Sequence, residues 1–258
     1  MVKLLFFNQS DTDGIKDYME EHPEMKFRMQ SDDPYADLAE LGTVPLPPSE
    51  GKTPVALVKV CDRFFMNKLL EEGEVFMRTL EYYRKLENDG ADCSDGRGDA
   101  YEGVDAITQA TAISIDGKEV KTSLTIRHNF PSGYRGLIYC LYGVYNDSYS
   151  NGKLILPDEM GKMGDTVVVI KDPLSFIDRC VTAAQKMGAR QTAAGSVMYY
   201  DETAGDFFLS PFWKRRKFKL QSEYRFYIPC NYTEDFTLRI GSIEDIADIY
   251  PLSTFLKH

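Results

Sequence analysis

The sequence has few of the residues that much enzyme chemistry relies on. There are only three histidines in 258 residues, His22, His128 and His258, and none neighbours a cysteine or serine in a nucleophile motif. The five cysteines, Cys61, Cys93, Cys140, Cys180 and Cys230, are odd in number, lie far apart and include no C-x-x-C pair. Neither a disulfide framework nor a metal site is therefore expected, and the thiols read as buried groups in a reducing compartment. G-x-S-x-G, G-x-x-x-x-G-K-[ST], G-x-G-x-x-G after a strand and H-E-x-x-H are all missing. No apolar stretch approaches the roughly 20 residues of a membrane helix. Lys3 to Phe7 is too short for the apolar region of a signal peptide and reads as a first strand. The expectation is a soluble, cytoplasmic protein with no membrane partner.

Acid is in excess. Forty Asp and Glu against 30 Lys and Arg leave a formal charge of −10, which argues against a nucleic-acid partner, because backbone affinity comes from cations that displace counterions. Lys214-Arg215-Arg216-Lys217, with Lys219 close by, is a local exception. A solvated charged turn is its simpler reading, and an anion contact the alternative.

Residues 1–53 read as an acidic accessory segment and linker, closed by Pro45, Pro47 and Pro48. Residues 54–258 read as the main domain. There the pattern begins with a strand at Val55 to Val60, an N-cap at Asp62, helical spacing from Phe64 to Leu70 and a helix stop at Gly73. A strand follows at Glu74 to Arg78. Ala106 to Arg127 alternate about Asp116-Gly117, as a hairpin does. Gly136 to Tyr145 and Thr166 to Ile170 are nearly continuous apolar runs, expected in strands buried on both faces. Asp172-Pro173 opens a helix that Gly188 stops. Strands are expected at Ser196 to Asp201, Glu223 to Pro229 and Phe236 to Ile240, and Ser242 with Asp245 suggests a last helix. Without regular βαβ alternation the class is α+β, a mixed, largely antiparallel sheet with a few separate helices.

Two polar clusters could carry chemistry. In Arg78 to Glu87, the arginines Arg78 and Arg84 and the ring of Tyr83 suit a phosphate-bearing ligand, although at helical spacing Tyr83 and Glu87, or Glu81 and Lys85, are also plain surface partners. Asp95, Gly96 and Glu102 fall at calcium-loop positions, but Ala91 and Cys93 stand where two carboxylates would be needed. Asp99 and Glu102 are better explained as partners of arginines. In Gln221 to Ile228, period two puts Tyr224, Phe226 and Ile228 on one face and Gln221, Glu223, Arg225 and Tyr227 on the other. Glu223 is then either an ion-paired edge-strand carboxylate or a catalytic one.

Together, Arg78 to Glu87, Arg97 to Gly103 and Ser222 to Phe226 resemble a family of uncharacterised bacterial and phage proteins with a "D-x-x-E-G" element, here Asp99, Glu102 and Gly103, and a late "E-x-R" strand, here Glu223 and Arg225. More distantly, the layout is similar to ADP-ribosyltransferase folds, and Gln221-Ser222-Glu223 resembles their Q-x-E motif. That resemblance implies an enzyme that cleaves NAD, with Glu223 and Gln221 catalytic and Lys59, Arg78, Tyr83, Arg84 and Arg225 holding the dinucleotide. Lys59 stands where the transferases carry Arg or His, and no Ser-Thr-Ser follows. Those departures point to the alternative, a non-catalytic protein of phage or defence origin that sequesters a nucleotide or engages a protein partner.

Overall fold

The computed structural model describes residues 53–88, 98–115, 118–129, 133–201, 203 and 207–256. The acidic segment 1–52, Cys93, Asp95 and the Asp116-Gly117 pair lie outside them. The architecture is α+β with mostly antiparallel strands. Among the described residues, no helix is long and apolar enough to cross a membrane.

Strand β1 (Ala56–Cys61) leads into α1 (Arg63–Asn67), which continues as a π-helical turn over Lys68–Glu72. Asp62 occupies the N-cap with extended backbone, but its side chain makes no capping bond. Gly73 ends the helix at φ +66°, in the left-handed region. A side chain there is doubly excluded, because a Cβ would lie 1.9 Å from the Gly241 carbonyl oxygen. The chain turns at once into β2 (Glu74–Thr79) and α2 (Leu80–Asn88), whose first turn is tied by the Tyr82 amide donating to Thr79 Oγ1 at 3.0 Å.

Strands β3 (Ala106–Ile115) and β4 (Lys118–His128) form the long hairpin, with a register shift between Ala110 and Ala112. The sheet centres on β5 (Gly136–Val144). Around it lie β8 (Thr166–Ile170), β9 (Ala193–Ser196), β13 (Glu223–Pro229), β14 (Phe236–Arg239) and β15 (Ala247–Pro251), while the short strands β6 (Tyr149–Ser150), β7 (Lys153–Leu154), β10 (Met198–Tyr200), β11 (Phe207–Phe208) and β12 (Trp213–Arg215) pair outside this sheet. Helix α3 (Pro173–Lys186) begins at Asp172, whose carboxylate accepts from the Ser175 amide at 3.0 Å. The helix expected from Ser242 does not form. Residues 244–246 turn, and β15 then pairs with β8, Ile249 opposite Val168, so apolar residues at helical spacing are used as a strand.

The sheet forks at β5. One edge of β5 is covered by β13, from Tyr142 opposite Glu223 to Gly136 opposite Pro229. Two strands share the other edge. β1 takes its end, with Val58 opposite Tyr142, and β2 takes its beginning, with Arg78 opposite Ile138. Between them, residues 139–141 meet neither strand on that edge. One arm of the fork is β1-β8-β15, the other β2-β14.

The two faces of β5 and β13 differ. Leu137, Tyr139, Leu141, Phe226 and Ile228 pack with Phe176, Cys180 and Ala184 of α3 in the largest core cluster. On the opposite face Ile138, Cys140 and Tyr227 pack with Leu80 and Phe212, and the same face carries Glu223 and Arg225. β13 is an interior strand paired with β5 and β9, so Glu223 has the expected ion pair, with Arg225 at 2.6 Å, but inside the sheet and not at its edge.

Candidate functional site

A cavity of about 620 Å³ opens at the fork. Its walls come from both arms, from α1 and from β5 between them. Strand alternation puts Lys59 on the face of Tyr139 and Glu223 on the face of Cys140, yet both line this cavity, because the sheet is open where they approach. Lys59 Nζ donates to the Cys140 carbonyl at 2.7 Å and lies 4.6 Å from the centre of the Tyr139 ring. A side-chain ammonium thus meets a main-chain acceptor for which the fork provides no strand.

The deep wall is ionic. Arg225 is fully buried, at 0% exposure, and its guanidinium is held from three sides. Nη1 and Nη2 donate to the two Glu102 oxygens, each at 2.7 Å, Nε donates to Glu223 Oε1 at 2.6 Å, and Nη1 also reaches the Pro211 carbonyl. Lys214 Nζ donates to Glu223 Oε2 and to Gln221 Oε1, both at 2.8 Å. Behind it, Arg215 Nε donates to Asp99 Oδ1 at 2.8 Å, and its guanidinium stands 4.5 Å from the Tyr101 ring centre. Three cations and three carboxylates, all buried, balance one another, which is the condition under which charge survives out of water.

The local backbone accounts for this placement. Lys214 and Arg215 lie on the short strand β12 (Trp213–Arg215), parallel to β10 (Met198–Tyr200), with Tyr199 opposite Lys214. A 3₁₀ segment over Arg216–Gln221 follows, and Ser222 reverses the chain at φ +41°. Ser222 Oγ donates to the Gly143 carbonyl at 2.9 Å and fixes that turn against β5. The solvated-turn reading of Lys214 to Lys217 is therefore corrected at its first two residues, which are buried and paired, while Arg216 remains exposed. Gln221 also joins Glu223 by a different route from strand alternation, since it sits in the 3₁₀ segment and reaches the group through Lys214.

Burial alone would raise the Glu223 carboxyl pKa, but Arg225 and Lys214 outweigh that effect and hold it well below the usual carboxylate range. Glu102 goes the other way: desolvation pushes it up, and the Arg225 charge offsets this in part. Burial raises Tyr83, with the Cys140 and Glu223 charges adding to it. The Cys140 thiol is raised strongly by burial, then by Glu223, which makes it a poor nucleophile.

Of the residues singled out from sequence, Lys59, Arg78, Tyr83, Gln221, Glu223 and Arg225 line the one cavity. Arg84 does not. Its Nη1 donates to Asn129 Oδ1 at 2.7 Å. Arg78 pairs with Asp235 at 2.9 Å and stacks 4.0 Å from the Tyr82 ring centre. Glu81 and Lys85 form the expected surface pair at 2.9 Å. Lys214 was missed as a site residue, along with Tyr139, Cys140 and the rings of Phe65 and Phe76, which also line the cavity. A lysine inside a basic run carries no sequence signal that it is buried. Among the described residues, no group of three or more His, Cys, Asp or Glu is placed to hold a metal ion.

Set against known protein families, curated proteins and solved structures, the chain matches none of them.

Proposed function

We propose that the protein binds a nucleotide or dinucleotide in the fork cavity, with Glu223 acting as a fixed charge of its wall. The observation that carries this reading is the balance of the lining. Six cationic side chains face four carboxylates in a chain whose net charge is −10, and aromatic rings stand among them. A volume of about 620 Å³ lies within the roughly 300–1,000 Å³ that encloses small-molecule ligands. Lys59 and Arg78, one from each arm, are the phosphate partners in this reading. Glu223 has one oxygen bonded by Arg225 and the other by Lys214, so it is too weak a base to take protons near neutral pH. Among the described residues, the free thiols of Cys61, Cys140 and Cys180 suit a reducing compartment, and we assign the protein to the cytoplasm on that basis.

A second reading, NAD-dependent ADP-ribosyl transfer on an ADP-ribosyltransferase-like fold, is favoured by one observation. Glu223 is kept ionised on the cavity wall next to Gln221, and an ionised carboxylate is what a developing oxocarbenium-like centre requires. Calorimetric titration of the full chain with AMP, ADP-ribose and NAD, together with release of nicotinamide from NAD, separates the two. Binding without release, weakened about tenfold or more in Arg78→Gln, supports the first reading. Release that falls roughly 10²-fold in Glu223→Gln supports the second. Failure of all three ligands to bind overturns both.

A further inference from the structure

We propose that Phe65 and Phe76 form a stacking platform at the mouth of the cavity for the flat heteroaromatic base of its ligand. This assignment rests on the nucleotide reading and locates the base within it. Both rings line the cavity and both are open to solvent, at 53% and 48% exposure. Large rings left half in water beside a pocket are the signature of a surface that is covered when occupied. The other lining rings are less open: Tyr139 is buried, at 3% exposure, and Tyr83 is partly buried in the cluster with Leu80 and Ile138.

The platform is held in place. Phe65 lies on α1 and Phe76 on β2, and the Lys68–Glu74 ion pair, at 3.3 Å, ties the π-helical turn that continues α1 to the start of β2. Phe64 meets Phe65 edge-to-face, with ring centroids 5.3 Å apart. The Arg78 guanidinium stands over both the Phe76 ring, 5.0 Å from its centroid, and the Tyr82 ring, 4.0 Å from its centroid. Arg78 is also one of the two cations assigned to phosphate, which puts the charged end of a ligand next to the ring that would carry its base. Further in, Cys140 presents its main chain to the fork: its carbonyl receives Lys59, and the β13 register turns its N–H to the same side, where no described strand lies to receive it. Base at the rings and phosphate at Arg78, Lys59 and this N–H is the order the chemistry selects, since stacking accepts any base while cations and amides suit phosphate oxygens.

The test compares AMP with ribose 5-phosphate, which share the ribose and its 5-phosphate and differ at C1, where one carries the base and the other a hydroxyl, by calorimetric titration of the full chain. Three proteins are titrated: the wild type, the Phe65→Ala/Phe76→Ala double variant, and Leu174→Ala, which removes an exposed apolar side chain far along the sequence on α3. The wild type should bind AMP roughly tenfold or more tighter than ribose 5-phosphate. The double variant should lose that preference while binding ribose 5-phosphate as before, and Leu174→Ala should behave as wild type. The double variant changes two exposed side chains, and an unchanged melting temperature verifies its fold. Equal binding of AMP by wild type and double variant, or equal binding of AMP and ribose 5-phosphate by wild type, overturns the platform and leaves the cavity reading standing. Failure of both ligands to bind the wild type overturns the two together.

Discussion

The two faces of β5 and β13 are made by alternate residues of the same two strands, yet they are built on opposite principles. One is hydrocarbon: Leu137, Tyr139, Leu141, Phe226 and Ile228 meet α3 in the largest core cluster, and their contribution is non-directional and grows with area buried. The other carries an ionic half beside the apolar cluster of Ile138, Tyr227, Leu80 and Phe212: Arg225 and Glu223 meet Glu102 and Lys214, all just as buried, but each contact depends on a particular atom pair at 2.6–2.8 Å. A hydrocarbon face tolerates exchange of similar shapes. An ionic face tolerates little, because removing one member leaves its partners charged and dry. Stability on the first face is distributed, whereas on the second it depends on single residues.

The sharpest way to break that contrast is Arg225→Met. It keeps volume but strands Glu102 and Glu223, and unfolding by denaturant should show a loss of about 3–5 kcal/mol. Adding Glu102→Gln and Glu223→Gln should recover part of that loss, since the members of one network are not additive. A triple variant no more stable than the single one would show that Arg225 acts by packing alone.

A smaller effect is expected from pH. The folded Glu223 carboxyl is held below its ordinary value of 4.5. Its contribution is therefore fully present above that value and is lost as pH falls through it toward the lower folded value. Glu223→Gln should flatten the acid side of a stability-versus-pH curve below about pH 5 and leave its shape near neutrality unchanged. An acid limb as steep as in the wild type would assign the loss to other carboxylates.

The smallest effect is expected on the surface, where Arg179 pairs with Asp245, their side chains 30% and 61% exposed. Arg179→Ala should leave the melting temperature unchanged within measurement, because an exposed pair gains little over its hydrated parts. A clear drop there would mean that distance alone, without burial, decides the worth of an ion pair in this fold.

How much of this was legible in the sequence follows the range of the interactions. Gly73, the Asp172-Pro173 helix start, the Ala106 to Arg127 hairpin and the apolar runs of β5 and β8 depend on neighbours a few residues away, and they are found where the pattern puts them. The resemblance, not periodicity, groups Lys59, Arg78, Tyr83, Arg84, Gln221, Glu223 and Arg225, and all of them but Arg84 line one cavity. The fork itself has no sequence signature, because each arm reads as an ordinary strand until both are laid on β5. Lys214 and Arg215 look like surface cations because the carboxylates that bury them are not next to them: Asp99 is 116 residues from Arg215. Ile246 and Ile249 have helical spacing, but the unpaired edge of β8 claims that segment as β15.

The span of those pairs also bears on the order of assembly. Arg225 finds Glu102 across 123 residues of chain and Arg215 finds Asp99 across 116, whereas β1, α1 and β2 follow one another directly along the chain. Closing loops of that length costs entropy that must be met before the ion pairs return anything. The network therefore gives little help to nucleation. Its pairs close after the hydrocarbon face has brought β13 onto β5, so a substitution such as Arg225→Met should act chiefly by speeding unfolding and leave the rate of folding nearly unaltered.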